Sequence, residues 1–373
     1  MKRLVSLDAF RGFDMMMIIG LDGCLWHLGL WLFGSSDNWL SASFSHPKWY
    51  GLSFYDCIFP TFLFIAGLSF PFSYARQVEK GLTKLQIHLK IFRRAAILVL
   101  LGWVTNGVFQ VGFHDLRYGS VLGKIGLSWM FAAIYFVNFP RWARIAICAS
   151  LIVGFAVLLG VFTAPDFPTA SSFSAEGNII GWLERLTMPG KLPCSATVDG
   201  VKYANLFDPS GLYMSFFAAA TAMLGMFAGE IIRAERPSGN RRTLHLLALS
   251  AGLLAAGLVM LRFVPVSKKL WSPSFLLLVG AGSTAVFALF YWVADVKQWR
   301  WWTPFFAVVG MNSIAIYMLN HIVDFDAVSK FFLGGAVSRL DPALGMCLVG
   351  LGHFAACWSV TWFLWRHKVF FKV

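Results

Sequence analysis

The chain has 373 residues, of which 58% are apolar and 13% charged. Soluble proteins run nearer ~25% charged and ~45–50% apolar, so a disordered chain and an ordinary soluble enzyme are both excluded. The net charge of +13, from 31 Lys and Arg against 18 Asp and Glu, fits basic loops between membrane spans better than a nucleic-acid partner.

A helix needs about 20 apolar residues to cross ~30 Å of hydrocarbon. Ten segments are predicted to do so: 12–33, 52–74, 92–111, 120–138, 144–163, 211–233, 243–262, 273–294, 303–322 and 342–365. Asp8, Arg11 and Asp14 flank the first, and no small-residue cleavage site follows, so it reads as a span and not a signal peptide. A shorter apolar piece, 328–336, reads as a re-entrant or interfacial helix. Twenty of the 31 basic residues, Lys2, Arg3 and Lys372 among them, fall on one side when the N-terminus is placed in the cytoplasm. The expected architecture is an all-α polytopic helix bundle of about ten spans with both termini cytoplasmic. It forms one transmembrane domain over 1–373, with external loops 34–51 and 164–210.

Ionisable groups inside a bilayer cost a few kcal/mol or more, so each is a candidate functional residue. In chain order these are Asp14, Asp22, Asp56, Lys124, Glu230, His321 and His353. Asp14 is expected at the interface. Asp22 lies ~15 Å deeper than residue 12 at 1.5 Å per residue, near the midplane. It sits between Gly20 and Gly23, where a backbone or ligand can approach. A structural helix–helix hydrogen bond is the alternative for Asp22, Asp56 and Lys124, and His353 reads as a helix-packing histidine. His46 precedes the second span in Ser45-His46-Pro47-Lys48-Trp49-Tyr50-Gly51-Leu52. Pro47 denies a helix there, and Trp49 and Tyr50 suit the headgroup level. A histidine at the mouth of a bundle suits proton transfer. Of six cysteines, only Cys194 lies in a polar loop. No disulfide framework is implied, and no CxxC pair or His-rich tract points to a metal.

The stretch Arg3-Leu4-Val5-Ser6-Leu7-Asp8-Ala9-Phe10-Arg11-Gly12 resembles the opening signature of transmembrane acyltransferases related to heparan-α-glucosaminide N-acetyltransferase. Five further blocks resemble that family in order. They are His46-Pro47-Lys48-Trp49-Tyr50-Gly51 with Asp56-Cys57-Ile58-Phe59-Pro60; Arg117 to Ile125; Phe207-Asp208-Pro209-Ser210-Gly211-Leu212 with Gly225 and Gly229; Lys269 to Phe275; and Gly310-Met311-Asn312-Ser313-Ile314. There are departures. Gly123-Lys124 stands where the family has Gln-Arg, which keeps the charge and loses the guanidinium fork. Asp22 falls where lysosomal members carry an asparagine, and Asn320, followed by His321, falls where they carry a histidine. Their large extracytoplasmic domain has no counterpart, so the acceptor is the property least carried by the resemblance.

The resemblance implies transfer of an acetyl group from cytoplasmic acetyl-CoA, a co-substrate, to a glucosamine-type amine across the membrane. The expected localisation is a bacterial inner membrane. His46 is the expected base or acetyl carrier, with Asp22 and Asp56 beside it. Arg11, Lys90, Arg93 and Arg94 are candidates for the CoA phosphates. Lys124, Asn312, Asn320 and His321 complete the candidate donor site, and no metal is expected. Partners are acetyl-CoA, an amino-sugar acceptor, the bilayer and, as a further candidate, a second copy of the chain as a homodimer; nucleic acid is not among them. Two alternatives stay open: a membrane O-acyltransferase of envelope polysaccharide, and a transporter of a sugar or lipid-linked sugar.

Overall fold

A computed structural model describes residues 4–371; Lys2, Arg3 and Lys372 lie outside them. The described chain is an all-α bundle with one small hairpin. Its helices in order are α1 (Val5–Met16), α2 (Leu21–Phe33), α3 (Trp39–Ser43), α4 (Phe54–Glu79), α5 (Lys84–Thr105), α6 (Val108–Val111), α7 (Val121–Asn138) and α8 (Arg141–Val161). Then come α9 (Ile179–Thr187), strands β1 (Cys194–Val198) and β2 (Val201–Phe207), α10 (Leu212–Arg233), α11 (Gly239–Met260) and α12 (Pro273–Tyr291), which a π-helical turn extends to Val296. The last four are α13 (Thr303–Met311), α14 (Ser313–Ile322), α15 (Phe325–Val337) and α16 (Pro342–Arg366).

Side-chain caps start many of these helices. The Ser53 hydroxyl accepts from the Asp56 amide while the Asp56 carboxylate accepts from the Ser53 amide, a reciprocal pair that opens α4. Thr83 and Gln86 do the same for α5. Ser120, Asn178, Ser238, Ser272 and Asp341 cap α7, α9, α11, α12 and α16.

Among the described residues, seven helices are long and apolar enough to cross a membrane, or nine if each of two bent pairs is one span. The first expected span is broken. α1 begins at Val5, and the chain bends by 54° before α2. Gly20 at the break has φ +110° and faces the Gly350 carbonyl, so neither the backbone nor the space admits a side chain. The ninth span breaks at Asn312 with a 67° bend. The third expected span, 92–111, is displaced. α5 runs from Lys84 to Thr105 and packs on α7. Lys84, Lys90, Arg93 and Arg94 fill its first half, which dilutes its hydropathy.

Glycines let the helices meet backbone to backbone. A Cβ on Gly67 or Gly225 would lie 2.0 Å from a carbonyl oxygen of the partner helix, so α4 and α10 touch without intervening side chains. Gly12 and Gly310 do the same for α1 and α13. The main core runs through α4, α7, α10 and α12 around Phe64, Phe275, Phe287 and Trp271. The expected loop 164–210 is itself folded, with α9 packed on β2 and a hairpin turning at Asp199-Gly200. Both turn residues have positive φ, which the Asp-Gly pair tolerates. The short apolar segment 328–336 lies in α15, which packs on α16.

Candidate active site

Successive long helices alternate in direction. The N-termini of α4, α7, α10 and α12 therefore share one end of the bundle with the C-termini of α5, α8 and α11. The His46 segment lies at that end, tied down by four hydrogen bonds to three distant parts of the chain. Trp26 Nε1 donates to Ser45 Oγ at 3.0 Å, and the Gly51 amide donates to the Val266 carbonyl at 2.9 Å. Ser267 Oγ donates to the Trp49 carbonyl, and Trp49 Nε1 donates to the Phe173 carbonyl, each at 2.7 Å.

The His46 ring is half exposed, and its Nδ1 lies 2.6 Å from Asp56 Oδ1, on a carboxylate that is only 2% exposed. Ten residues and a helix start separate them in sequence. The α4 capping box brings them together, because it points the Asp56 carboxylate back across the helix N-terminus. An anionic Asp56 accepts from Nδ1–H, which leaves the Nε2 lone pair facing outward. Lys268 Nζ lies 3.3 Å from the same Asp56 oxygen. The Tyr55 ring packs against His46 at 4.7 Å, and Asp22 lies within electrostatic reach of its hydroxyl. Of the three expected catalytic residues, His46 and Asp56 are paired directly, and Asp22 approaches them by way of Tyr55. Tyr55 and Lys268 complete the group, and sequence reasoning missed both. Lys268 carried a findable signal, since it stands next to Lys269 in a block already singled out. Burial pushes the Lys268 ammonium below its usual range, with Asp56 pulling it back up.

A second polar network lies at the same end. Arg117 grips Asp208 with two hydrogen bonds, at 2.9 and 2.7 Å. The Asp208 amide donates to Glu184 Oε2 at 2.8 Å. Glu184 is fully buried, and its Oε1 has no hydrogen-bond partner. Burial pushes its carboxyl up to about 8, with the Asp208 amide pulling the other way. A carboxyl raised in the folded state favours folding least when it must ionise. Stability should therefore fall as pH rises from the ordinary glutamate range towards about 8. Between pH 5 and 8 the wild type should lose roughly 5 °C more of apparent Tm than Glu184→Gln, read by thermal shift in detergent. Equal slopes would show that Glu184 does not titrate in that range.

The expected donor-site residues divide. Arg11 and Arg94 lie within electrostatic reach of each other, deeper in the bundle than the His46 end. Arg11 Nη2 donates to Ser69 Oγ at 3.0 Å, and the Arg94 guanidinium lies 4.2 Å above the Trp129 ring. Arg94 Nε is buried without a hydrogen-bond partner. Lys90 and Arg93 do not join them, because both sit on the exposed face of α5. Lys124 is buried among apolar groups, its Nζ donating to the Pro209 carbonyl and lying 3.7 Å from the Trp271 ring. Asn312 has both amide groups engaged by the C-terminal segment, at the Val369 carbonyl and the Phe371 amide. Asn320 Oδ1 lies 2.6 Å from His353 Nε2, and His321 is exposed with Nδ1 on the Tyr317 carbonyl. His353 is more than packing: its Nδ1 also pairs with Asp326 at 2.9 Å. Asp14, expected at the interface, is buried, with Oδ2 unpartnered.

Further along the bundle lies a small apolar pocket. Met15 and Ile18, Phe59 and Phe62, Val121 and Ile125, and Tyr317 line it from α1 and the bend after it, α4, α7 and α14. Ser69 and Asp56 are 13 residues apart on α4, about 20 Å along the helix, and the pocket residues Phe59 and Phe62 fall between them.

Residues 3–177 match the family described as "Heparan-alpha-glucosaminide N-acetyltransferase, catalytic". Two curated proteins bear the name heparan-alpha-glucosaminide N-acetyltransferase. The human one is 25% identical over 344 residues, covering 79% of this chain and 49% of its own length. The mouse one is 23% identical over 345 residues, covering 79% of this chain and 50% of its own. The chain spans about half the length of these relatives. The resemblance carried by the six motif blocks is thereby borne out.

Proposed function

From its likeness to the heparan-alpha-glucosaminide N-acetyltransferases, we propose that this chain is a transmembrane N-acetyltransferase. It moves an acetyl group from acetyl-CoA on the cytoplasmic side to an amino sugar on the other side. The observation that carries this reading is the His46–Asp56 pair at one end of the bundle. Further along α4 come the apolar pocket, at Phe59 and Phe62, and then Arg11, at Ser69. Arg11 and Arg94 are the proposed phosphate ligands at the cytoplasmic end, where guanidinium groups form strong charge-assisted hydrogen bonds.

At the His46 end the acceptor amine must be neutral to attack. His46 Nε2 takes its proton while Asp56 holds Nδ1–H and stabilises the imidazolium. The amine nitrogen bonds to the thioester carbon, the carbon–sulfur bond breaks, and the CoA thiolate leaves and is protonated. The proposed setting is a bacterial inner membrane with both termini cytoplasmic.

The test is purified protein supplied with labelled acetyl-CoA and glucosamine, with N-acetylglucosamine detected by mass spectrometry. Replacing Arg11 and Arg94 together by Gln should raise KM for acetyl-CoA by ~10-fold or more, at ~1.5–3 kcal/mol per lost charge-assisted contact, and leave KM for the amine unchanged. An unchanged KM for acetyl-CoA would move the phosphate site elsewhere. Sugar efflux from vesicles without product would favour a transporter.

A further inference from the structure

Asp56 sits under His46 with little solvent to stabilise its charge. A lone buried carboxylate against an imidazole draws a second proton onto the ring, and an imidazolium cannot accept one from a substrate. Lys268 changes that balance. Its Nζ lies 3.3 Å from Asp56 Oδ1, the oxygen that His46 uses at 2.6 Å. It also lies 5.9 Å from the centre of the Tyr55 ring, which stacks on His46. The segment that presents it is fixed to the His46 loop by Gly51–Val266 and Ser267–Trp49 hydrogen bonds, so its place is built.

The other ionisable groups here point elsewhere. Lys269 lies over the Trp49 ring, and Asp22 is behind Tyr55. Lys124 on α7 is spent on the Pro209 carbonyl, and Arg117 on Asp208. Lys268 is the cation in contact with the Asp56 carboxylate.

We propose that Lys268 is the positioning residue of this centre: its ammonium braces Asp56 so that the carboxylate fixes one proton on His46 Nδ1 and leaves Nε2 unprotonated for the acceptor amine. The proposal rests on the general-base reading of His46. Removing a neighbouring positive charge favours the imidazolium, so the ring keeps its second proton to higher pH.

The experiment compares the full-length protein with Lys268→Met and Lys268→Arg in detergent. It uses acetyl-CoA and glucosamine as probes, and histidine ¹⁵N NMR with His46 assigned by difference from His46→Gln. Lys268→Met should lower kcat ~10–100-fold at neutral pH, a size within that of general-base catalysis, with KM for acetyl-CoA unchanged. The ascending limb of its pH–rate profile should move to higher pH, so activity recovers in alkaline buffer. Lys268→Arg should restore most of the rate and the original limb. The His46 ring should be doubly protonated in Lys268→Met at a pH where the wild-type ring carries only the Nδ1 proton. An unmoved limb, or an Arg variant as impaired as the Met variant, would overturn the proposal. So would an unchanged His46 spectrum, and that spectrum decides the point even if His46 proves not to be the base.

Discussion

His46→Ala is expected to cut acetyl transfer by ~10²–10⁴-fold, the range for loss of a general base, with the protein still folded. The ring is half exposed, and the loop is held through Trp49, Gly51 and Ser45, so little packing is lost. Acetyl-CoA binding should survive, since Arg11 bonds Ser69, about 20 Å from Asp56 along α4. The ascending limb of the pH–rate profile should vanish with the ring. A deeper loss together with ping-pong kinetics in the wild type would mark His46 as an acetyl carrier. Near-normal transfer by His46→Ala would send the search to Asp22 and His321. Asp56→Ala is a poorer probe, because Asp56 also closes the capping box of α4, and lost activity would mix with lost stability.

Arg117→Ala should produce the largest fall in stability. Asp208 is 2% exposed and receives both hydrogen bonds of the Arg117 fork. Stripping one partner from a buried ion pair costs ~3–5 kcal/mol, because the other charge is left uncompensated. Some 37% of the Arg117 side chain reaches solvent, and water screens part of that, so ~2–4 kcal/mol is expected. Adding Asp208→Asn should recover part of the loss by removing the orphaned charge. Thermal unfolding in detergent measures both variants. An Arg117→Ala protein as stable as the wild type would show that Asp208 does not depend on the pair.

Hydropathy revealed the helices because the bilayer imposes a length and an apolar composition on anything that crosses it. It could not reveal the breaks at Gly20 and Asn312. Each depends on a neighbour far along the chain: the α16 backbone at Gly350 in one case and the C-terminal segment at Val369 in the other. His46, Asp22 and Asp56 were legible as polar residues out of place. Tyr55 was not, since an aromatic residue beside a helix start is ordinary until His46 is seen lying on it. Lys90 and Arg93 part from Arg94 because a run of basic residues spans more than one face of a helix: both are exposed, whereas Arg94 lies within electrostatic reach of Arg11. The fold of 164–210 was hidden because its elements are short and owe their order to contacts such as Trp49 to Phe173.

The ties of the His46 loop set an order on the making of this protein. Ser267 and Trp49 are 218 positions apart, so a growing chain threads many helices into the bilayer before the two can meet. Until then Asp56 has no Lys268, Gly51 has no acceptor for its amide, and His46 hangs on its nearer anchors alone. The centre is therefore completed only after α4, α7 and α10 have been made. A nascent chain stalled before Val266 would hold a histidine and a carboxylate without the lysine and the loop ties that complete the centre.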